Sequence, residues 1–253
     1  MQLFTVAILL LGLSATNAVP LQEKDELEAQ IIGGEKAQPG ELPFAVKLSN
    51  GCTGSIISDK VVLSAAHCHA TSMSIYYGSV DYRSGTRVGV QRAVVHEGYN
   101  RNRLKNDIML LFLESPIRIG PNAKPITIAK DPAAPGSKVW AAGYGVTKDP
   151  GGSPSPVLMK VSQTIGDDTI CKRDYNQWEG QKGSQICLKP EANRGVCYGD
   201  SGGPLYSANN GTYQLLGATS FGSRTPCASG QTVAYFTRVG YFIDWIRSKG
   251  VPV

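Results

Sequence analysis

Gly195-Val196-Cys197-Tyr198-Gly199-Asp200-Ser201-Gly202-Gly203-Pro204 is the stretch on which the reading of this chain turns. A serine set among glycines and next to an aspartate reads as a nucleophile on a tight turn. The glycines let a substrate carbonyl approach the backbone and leave two N–H groups free to point at one oxygen. Gly, Asp and Ser are also ordinary turn formers, so the string alone would be a loop like any other. Two further strings upstream give it meaning.

These are Ser64-Ala65-Ala66-His67-Cys68 and Asn106-Asp107-Ile108-Met109-Leu110. A serine hydroxyl attacks a carbonyl poorly until a neutral imidazole takes its proton, and the imidazole needs a carboxylate to hold its tautomer. With His67, Asp107 and Ser201 in this order, each in its own motif, the chain resembles the chymotrypsin/trypsin family of serine endopeptidases from Ile31 to near the C-terminus. The resemblance implies that Ser201 is the nucleophile, His67 the base and Asp107 its orienting acid. It also implies an oxyanion hole made by the backbone N–H groups of Gly199 and Ser201.

Further expectations follow from the resemblance. The six cysteines alone allow fifteen pairings; the family pattern selects Cys52–Cys68, Cys171–Cys187 and Cys197–Cys227. Cleavage before Ile31-Ile32-Gly33-Gly34 would free an α-amino group that pairs with Asp200 and orders the oxyanion loop. Residue 30 is Gln rather than the Arg or Lys of many members, so activation calls for a protease other than trypsin, or self-processing. The implied fold is all-β: two antiparallel six-stranded barrels with a C-terminal helix and the active site between them. The first barrel is expected over about 31–130, the second over about 131–238 and the helix over about 239–249.

The residues themselves support an exported, many-stranded domain. Phe4 to Leu13 is an apolar run too short to span a bilayer, followed by the small residues Thr16-Asn17-Ala18, so 1–18 reads as a signal peptide. Residues 19–30 read as an acidic propeptide: Lys24 against Glu23, Asp25, Glu26 and Glu28 leaves this segment at −3, so of the +5 overall the side chains from Ile31 onward sum to +8. No basic run is longer than a few residues, which argues for a solvated surface rather than a nucleic-acid or polyanion site. At 253 residues with 42% hydrophobic content, the chain has enough apolar material for a buried core. Short strands recur between Gly, Pro, Asn and Ser, among them Phe44–Leu48, Arg87–Val95, Lys138–Ala142 and Tyr213–Ser220. Phe242, Trp245 and Ile246 stand at i, i+3, i+4 ahead of Gly250 and Pro252, which predicts a helix over Val239–Lys249. Pro132-Ala133-Ala134-Pro135-Gly136 reads as a hinge segment. Asn210-Gly211-Thr212 is both a glycosylation sequon and an Asn-Gly hairpin signal.

The substrate pocket departs from that of trypsin. Where trypsin-like members carry Asp six residues before the nucleophile, this chain has Gly195, followed by Val196. Tyr198, Ser220, Phe221 and Gly222 complete the expected substrate-binding set. The far wall aligns to Ala234 counting backwards from Thr237-Arg238-Val239, and to Val233 counting forwards from Cys227. Ala implies a slot for Phe, Tyr or Leu, and Val a narrower one. The favoured expectation is a chymotrypsin-like preference. The alternatives are elastase- or collagenase-like breadth, and a catalytically silent homologue that serves as a binding protein. Expected partners are protein or peptide substrates, a protease cutting after Gln30, and protein protease inhibitors. No cofactor, metal, nucleic acid or membrane partner is expected. His69 and His96 lack partner patterns and read as surface or turn residues.

Overall fold

Runs of four to six apolar and β-branched residues, cut by glycine and proline, are too short for helices and the right length for strands. The computed structural model describes residues 31–253 and contains fourteen strands there. The expected signal peptide and propeptide, with Gln30, lie outside the described residues. After β1 (Glu35–Lys36) come β2 (Ala45–Leu48), β3 (Thr53–Ile56), β4 (Val61–Ser64), β5 (Ser74–Tyr77), β6 (Thr86–Val95) and β7 (Met109–Leu113). Strands β2 to β7 close an antiparallel barrel in the order β2-β3-β4-β7-β6-β5. Its interior holds Val46, Leu48, Ile56, Val62, Ile75, Met109 and Leu111.

The remaining strands are β8 (Thr127–Ile128), β9 (Lys138–Gly143), β10 (Met159–Thr164), β11 (Gln185–Leu188), β12 (Pro204–Asn209), β13 (Thr212–Gly222) and β14 (Ala234–Arg238). They form a sheet in the order β1-β10-β9-β12-β13-β14-β11, with β8 added parallel to β13. The sheet curls until β11 reaches the end of β10: Ile165 bridges Leu188, and Lys189 N–H donates to Thr164 O at 2.8 Å. Both ends of the first-half stretch, β1 and β8, are therefore hydrogen-bonded into the second sheet. The segment 132–136 runs between β8 and β9.

A shared cluster seals the two halves together, with Phe44, Leu63, Ile108 and Leu110 from the first against Tyr144, Tyr206, Leu215 and Phe242 from the second. The C-terminal helix is shorter than its periodicity predicts. A 3₁₀ turn over Val239–Phe242 precedes α2 (Ile243–Ser248). Gly240 lies so close to the chain beneath it that a Cβ there would stand 2.3 Å from Ala129 O. His96 packs its ring on Phe242 and Trp245, at 5.3 and 4.9 Å, and so serves the docking of this helix. His69 is exposed.

A second helix, α1 (Asp168–Asp174), was not expected from the pattern. It is capped by Asp167, which accepts from Ile170 N–H at 2.9 Å, and it buries only Cys171, so it has no apolar stripe to read. Asn210 and Gly211, at φ +48° and +78°, form the two-residue turn joining β12 to β13, as a hairpin of that length requires. Disulfides join Cys52 to Cys68, Cys171 to Cys187 and Cys197 to Cys227. Among the described residues no helix is long and apolar enough to cross a membrane.

Ile246 is fully buried in the shared cluster. Ile246→Ala should cost about 2–5 kcal/mol, read as a lower urea midpoint with an unchanged slope. An unaltered midpoint would mean that the helix does not hold the halves together.

Candidate active site

The register of the first barrel brings two of the motifs together. Ser64 at the end of β4 pairs with Met109 at the start of β7, so His67 just after one strand meets Asp107 just before the other. A 3₁₀ turn over Ala66–Cys68, anchored through Cys68 to Cys52, presents the imidazole. Asp107 is almost wholly buried, and its carboxylate takes three donors. His67 N–H lies 2.9 Å from Oδ1, while His67 Nδ1 and Ser220 Oγ lie 2.7 and 2.5 Å from Oδ2. Thr237 Oγ1 donates to the Asp107 carbonyl at 2.8 Å. An ionised carboxylate only accepts, so the three donors hold it in one orientation, and Nδ1 becomes the protonated nitrogen of a neutral His67.

Ser220 sits at a bulge. β13 pairs Thr219 with Phe236 and Phe221 with Tyr235, leaving Ser220 without an opposite residue and its hydroxyl turned toward Asp107. Ser220 was expected only as a pocket wall. Its bond to Asp107 spans 113 positions and has no local signal.

Ser201 is held from both halves of the molecule. Its carbonyl accepts from Thr53 N–H of β3 at 2.9 Å, and the next residue, Gly202, donates to Thr219 O of β13 at 2.8 Å. Gly202 has φ +76°, and a Cβ there would stand 2.0 Å from Ser64 Oγ, so glycine is required for the turn to dock. Gly199, at φ +95°, gives its carbonyl to Thr53 Oγ1 at 3.1 Å. Among the described residues, neither Gly199 N–H nor Ser201 N–H donates to a protein acceptor. Two backbone donors of the Ser201 loop are thus left unspent.

The order His, Asp, Ser on this double β architecture can be compared with known proteins. The family model described as Trypsin matches residues 31–246. The chain is 36% identical to Trypsin Blo t 3 of Blomia tropicalis, over 89% of this chain and 88% of that protein. It is 32% identical to the trypsin of Sus scrofa, over 86% and 94%, and 30% identical to Trypsin-1 of Astacus astacus, over 87% and 100%. The chain belongs to the trypsin family. It is a serine endopeptidase of that family by sequence.

Within this trypsin-family framework, Ser201 and Ser220 open onto a cavity of about 250 Å³. Val196, Tyr198, Phe221, Gly222 and Ala234 line it together with the Cys197–Cys227 disulfide. Ala234 pairs with Gly222 across β13 and β14 and stands at the wall. Val233 is buried instead among Cys171, Tyr175, Cys187 and Tyr235. Phe221 stacks on Tyr235, centroids 4.6 Å apart. Gly195, expected in the substrate-binding set, is not among the lining residues; a Cβ there would face Gln163 Nε2 at 3.5 Å and Ala228 Cβ at 3.7 Å. Thr219, Thr225, Thr232 and Arg224 also line the cavity and were not anticipated; Arg224 is held by Asp174 at 3.0 Å. No carboxylate is among the lining residues. The two groups of clustered metal-ligand side chains among the described residues both include disulfide-bonded cysteines, so neither is a ready ligand set.

Behind the serine, Asp200 is wholly buried, and Cys197 N–H and Gly145 N–H donate to its carboxylate at 2.9 and 2.8 Å. A Cβ on Gly143 or Gly145 would collide with that carboxylate, at 2.2 and 2.5 Å. Ile31 is buried among Val139, Ala141 and Leu188, and Ile32 pairs with Gly195. Burial pushes the Asp200 carboxyl up from 3.8 to about 6, against the pull of its two backbone donors and of Lys47. Between these values the folded chain binds more proton than the unfolded one, so this group's contribution to stability falls as pH rises from about 4 to 6. In the uncut chain that loss should approach about 3 kcal/mol, and Asp200→Asn should abolish it. Urea titrations at pH 4 and pH 6.5 give the comparison; an equal pH dependence in both proteins would refute the assignment.

Proposed function

We propose that this chain is an exported precursor which, once cut between Gln30 and Ile31, hydrolyses peptide bonds after large apolar or aromatic residues. Ser201 attacks the scissile carbonyl while His67 takes its proton and later delivers it to the leaving amine. Asp107, held by Ser220, keeps the imidazole oriented. The tetrahedral oxyanion settles between the N–H groups of Gly199 and Ser201. The freed amino group of Ile31 pairs with Asp200 and stabilises the loop that carries those donors. The expected leader over 1–18 and the three disulfides support an oxidising, extracellular destination. Protein protease inhibitors are the expected regulators.

The observation that carries the substrate preference is the cavity beside Ser201, which is largely apolar and has no carboxylate in its lining. An apolar cavity of about 150 Å³ already accepts benzene, so about 250 Å³ has room for an aromatic side chain. A lysine or arginine placed there would be desolvated with no counter-charge, next to the like charge of Arg224. That Ala234 rather than Val233 stands at the wall supports a slot for a ring over a narrower one. The relatives named above are trypsins; the preference proposed here rests on this chain's own cavity.

A fluorophosphonate should label the processed protein at Ser201, and Ser201→Ala should lose the label and about 10⁶-fold in turnover. Absence of label in correctly processed protein would leave the silent-homologue reading standing. Chromogenic peptides varied only at the residue before the cut should be cleaved at least about 100-fold faster with Tyr, Phe or Leu than with Lys or Arg. Faster cleavage after Arg would reverse the specificity assignment.

A further inference from the structure

One buried charge has no role in the chemistry described so far. Lys47, on β2 of the first barrel, is 6% exposed, and its ammonium donates to Gly51 O at 2.6 Å. It also stands 5.7 Å from the centre of the Tyr144 ring. Both neighbours abut the back of the oxyanion loop. Gly51 O and Tyr144 O each lie 3.5 Å from where a Cβ on Gly199 would be, and the residue after Tyr144, Gly145, donates to Asp200. The backbone partner of Lys47 on β3 is Thr53, whose hydroxyl holds the Gly199 carbonyl. Lys47 thus occupies the first-barrel surface against which Gly199 and Asp200 are packed.

The electrostatics are reciprocal. Burial draws the Lys47 ammonium down to about 8, and the acid acting on it is Asp200. Among the described residues, the cation acting on Asp200 is Lys47. A buried carboxylate without a counter-charge is costly, and in the uncut chain residue 31 is locked in a peptide bond and has no ammonium to offer. Lys47 is present before and after cleavage alike.

We propose that Lys47 is a positioning residue for the oxyanion loop: a permanent counter-charge that holds Asp200 and the Gly199 turn in the ordered arrangement before Ile31 is freed. The uncut precursor then carries a basal activity that cleavage raises rather than creates. Lys47 touches no reacting atom and acts through Asp200, Gly51 and Tyr144. The inference rests on Ser201 being the nucleophile, which the processed enzyme tests separately.

The experiment compares fluorophosphonate labelling rates in two forms of the full chain. One is the precursor, with an intact 30–31 bond verified by mass; the other is processed protein, made from a Gln30→Lys precursor that trypsin can cut. Wild-type precursor should label slowly but measurably. Lys47→Met, of similar length and uncharged, should lower the precursor's rate at least about tenfold, since loss of one oxyanion donor alone costs about 10²–10³. The same change should lower the processed enzyme's rate less than about threefold, because the new amino group supplies the charge. Lys47→Arg should keep the precursor near the wild-type rate. Equal losses in both forms would show a packing role, and an unlabelled wild-type precursor beside a labelled processed enzyme would remove the proposal. If neither form labels, the endopeptidase reading falls with it. Should Lys47→Met fail to fold, Lys47→Gln against Lys47→Arg poses the same question.

Discussion

The buried carboxylate of Asp107 is the interaction on which the rest of the molecule depends. It stands at the start of a first-barrel strand, yet two of the groups that hold its residue, Ser220 and Thr237, belong to the second sheet. Satisfying one acid therefore fixes how the halves meet. A carboxylate so deeply buried is tolerable only when donors surround it, and removing any of them would leave part of its charge unmet. The imidazole of His67 is one of those donors. Orientation of the imidazole and cohesion of the two halves thus have a single cause.

A second buried acid organises the loop that carries Ser201. Asp200 takes backbone N–H groups from its own loop and from Gly145, and the glycines around it exist because any side chain would strike its carboxylate. The Ser201 turn is pinned from above by Thr53 and from below by Thr219. Much of the glycine-rich character of this region is thus the footprint of one carboxylate and one tightly docked turn.

The parts legible in the sequence were those whose chemistry is local. His67, Asp107 and Ser201 each sit in a short string that marks the family, and the hairpin at Asn210-Gly211 carries its own turn requirement. The choice between Ala234 and Val233 was not legible, because one extra residue between Cys227 and β14 can be placed on either side of the wall. The bond from Ser220 to Asp107 depends on a bulge that re-aims a side chain, which periodicity does not record. Lys47 is invisible for a related reason: a lysine in a strand reads as an outward-facing residue until it is seen buried beside Gly51 and the Tyr144 ring. Helix α1 was missed because it turns no apolar face to the core.

Strands β1 and β8 belong to the first half along the chain and to the second by pairing. A polypeptide ending near Lys130 would carry two dangling strands with nothing to pair them. Its complement would lack their hydrogen bonds at the margin of β10 and beside β13. The debt runs one way: the first barrel closes on its own six strands, while the second sheet is finished only by thread lent from the first half.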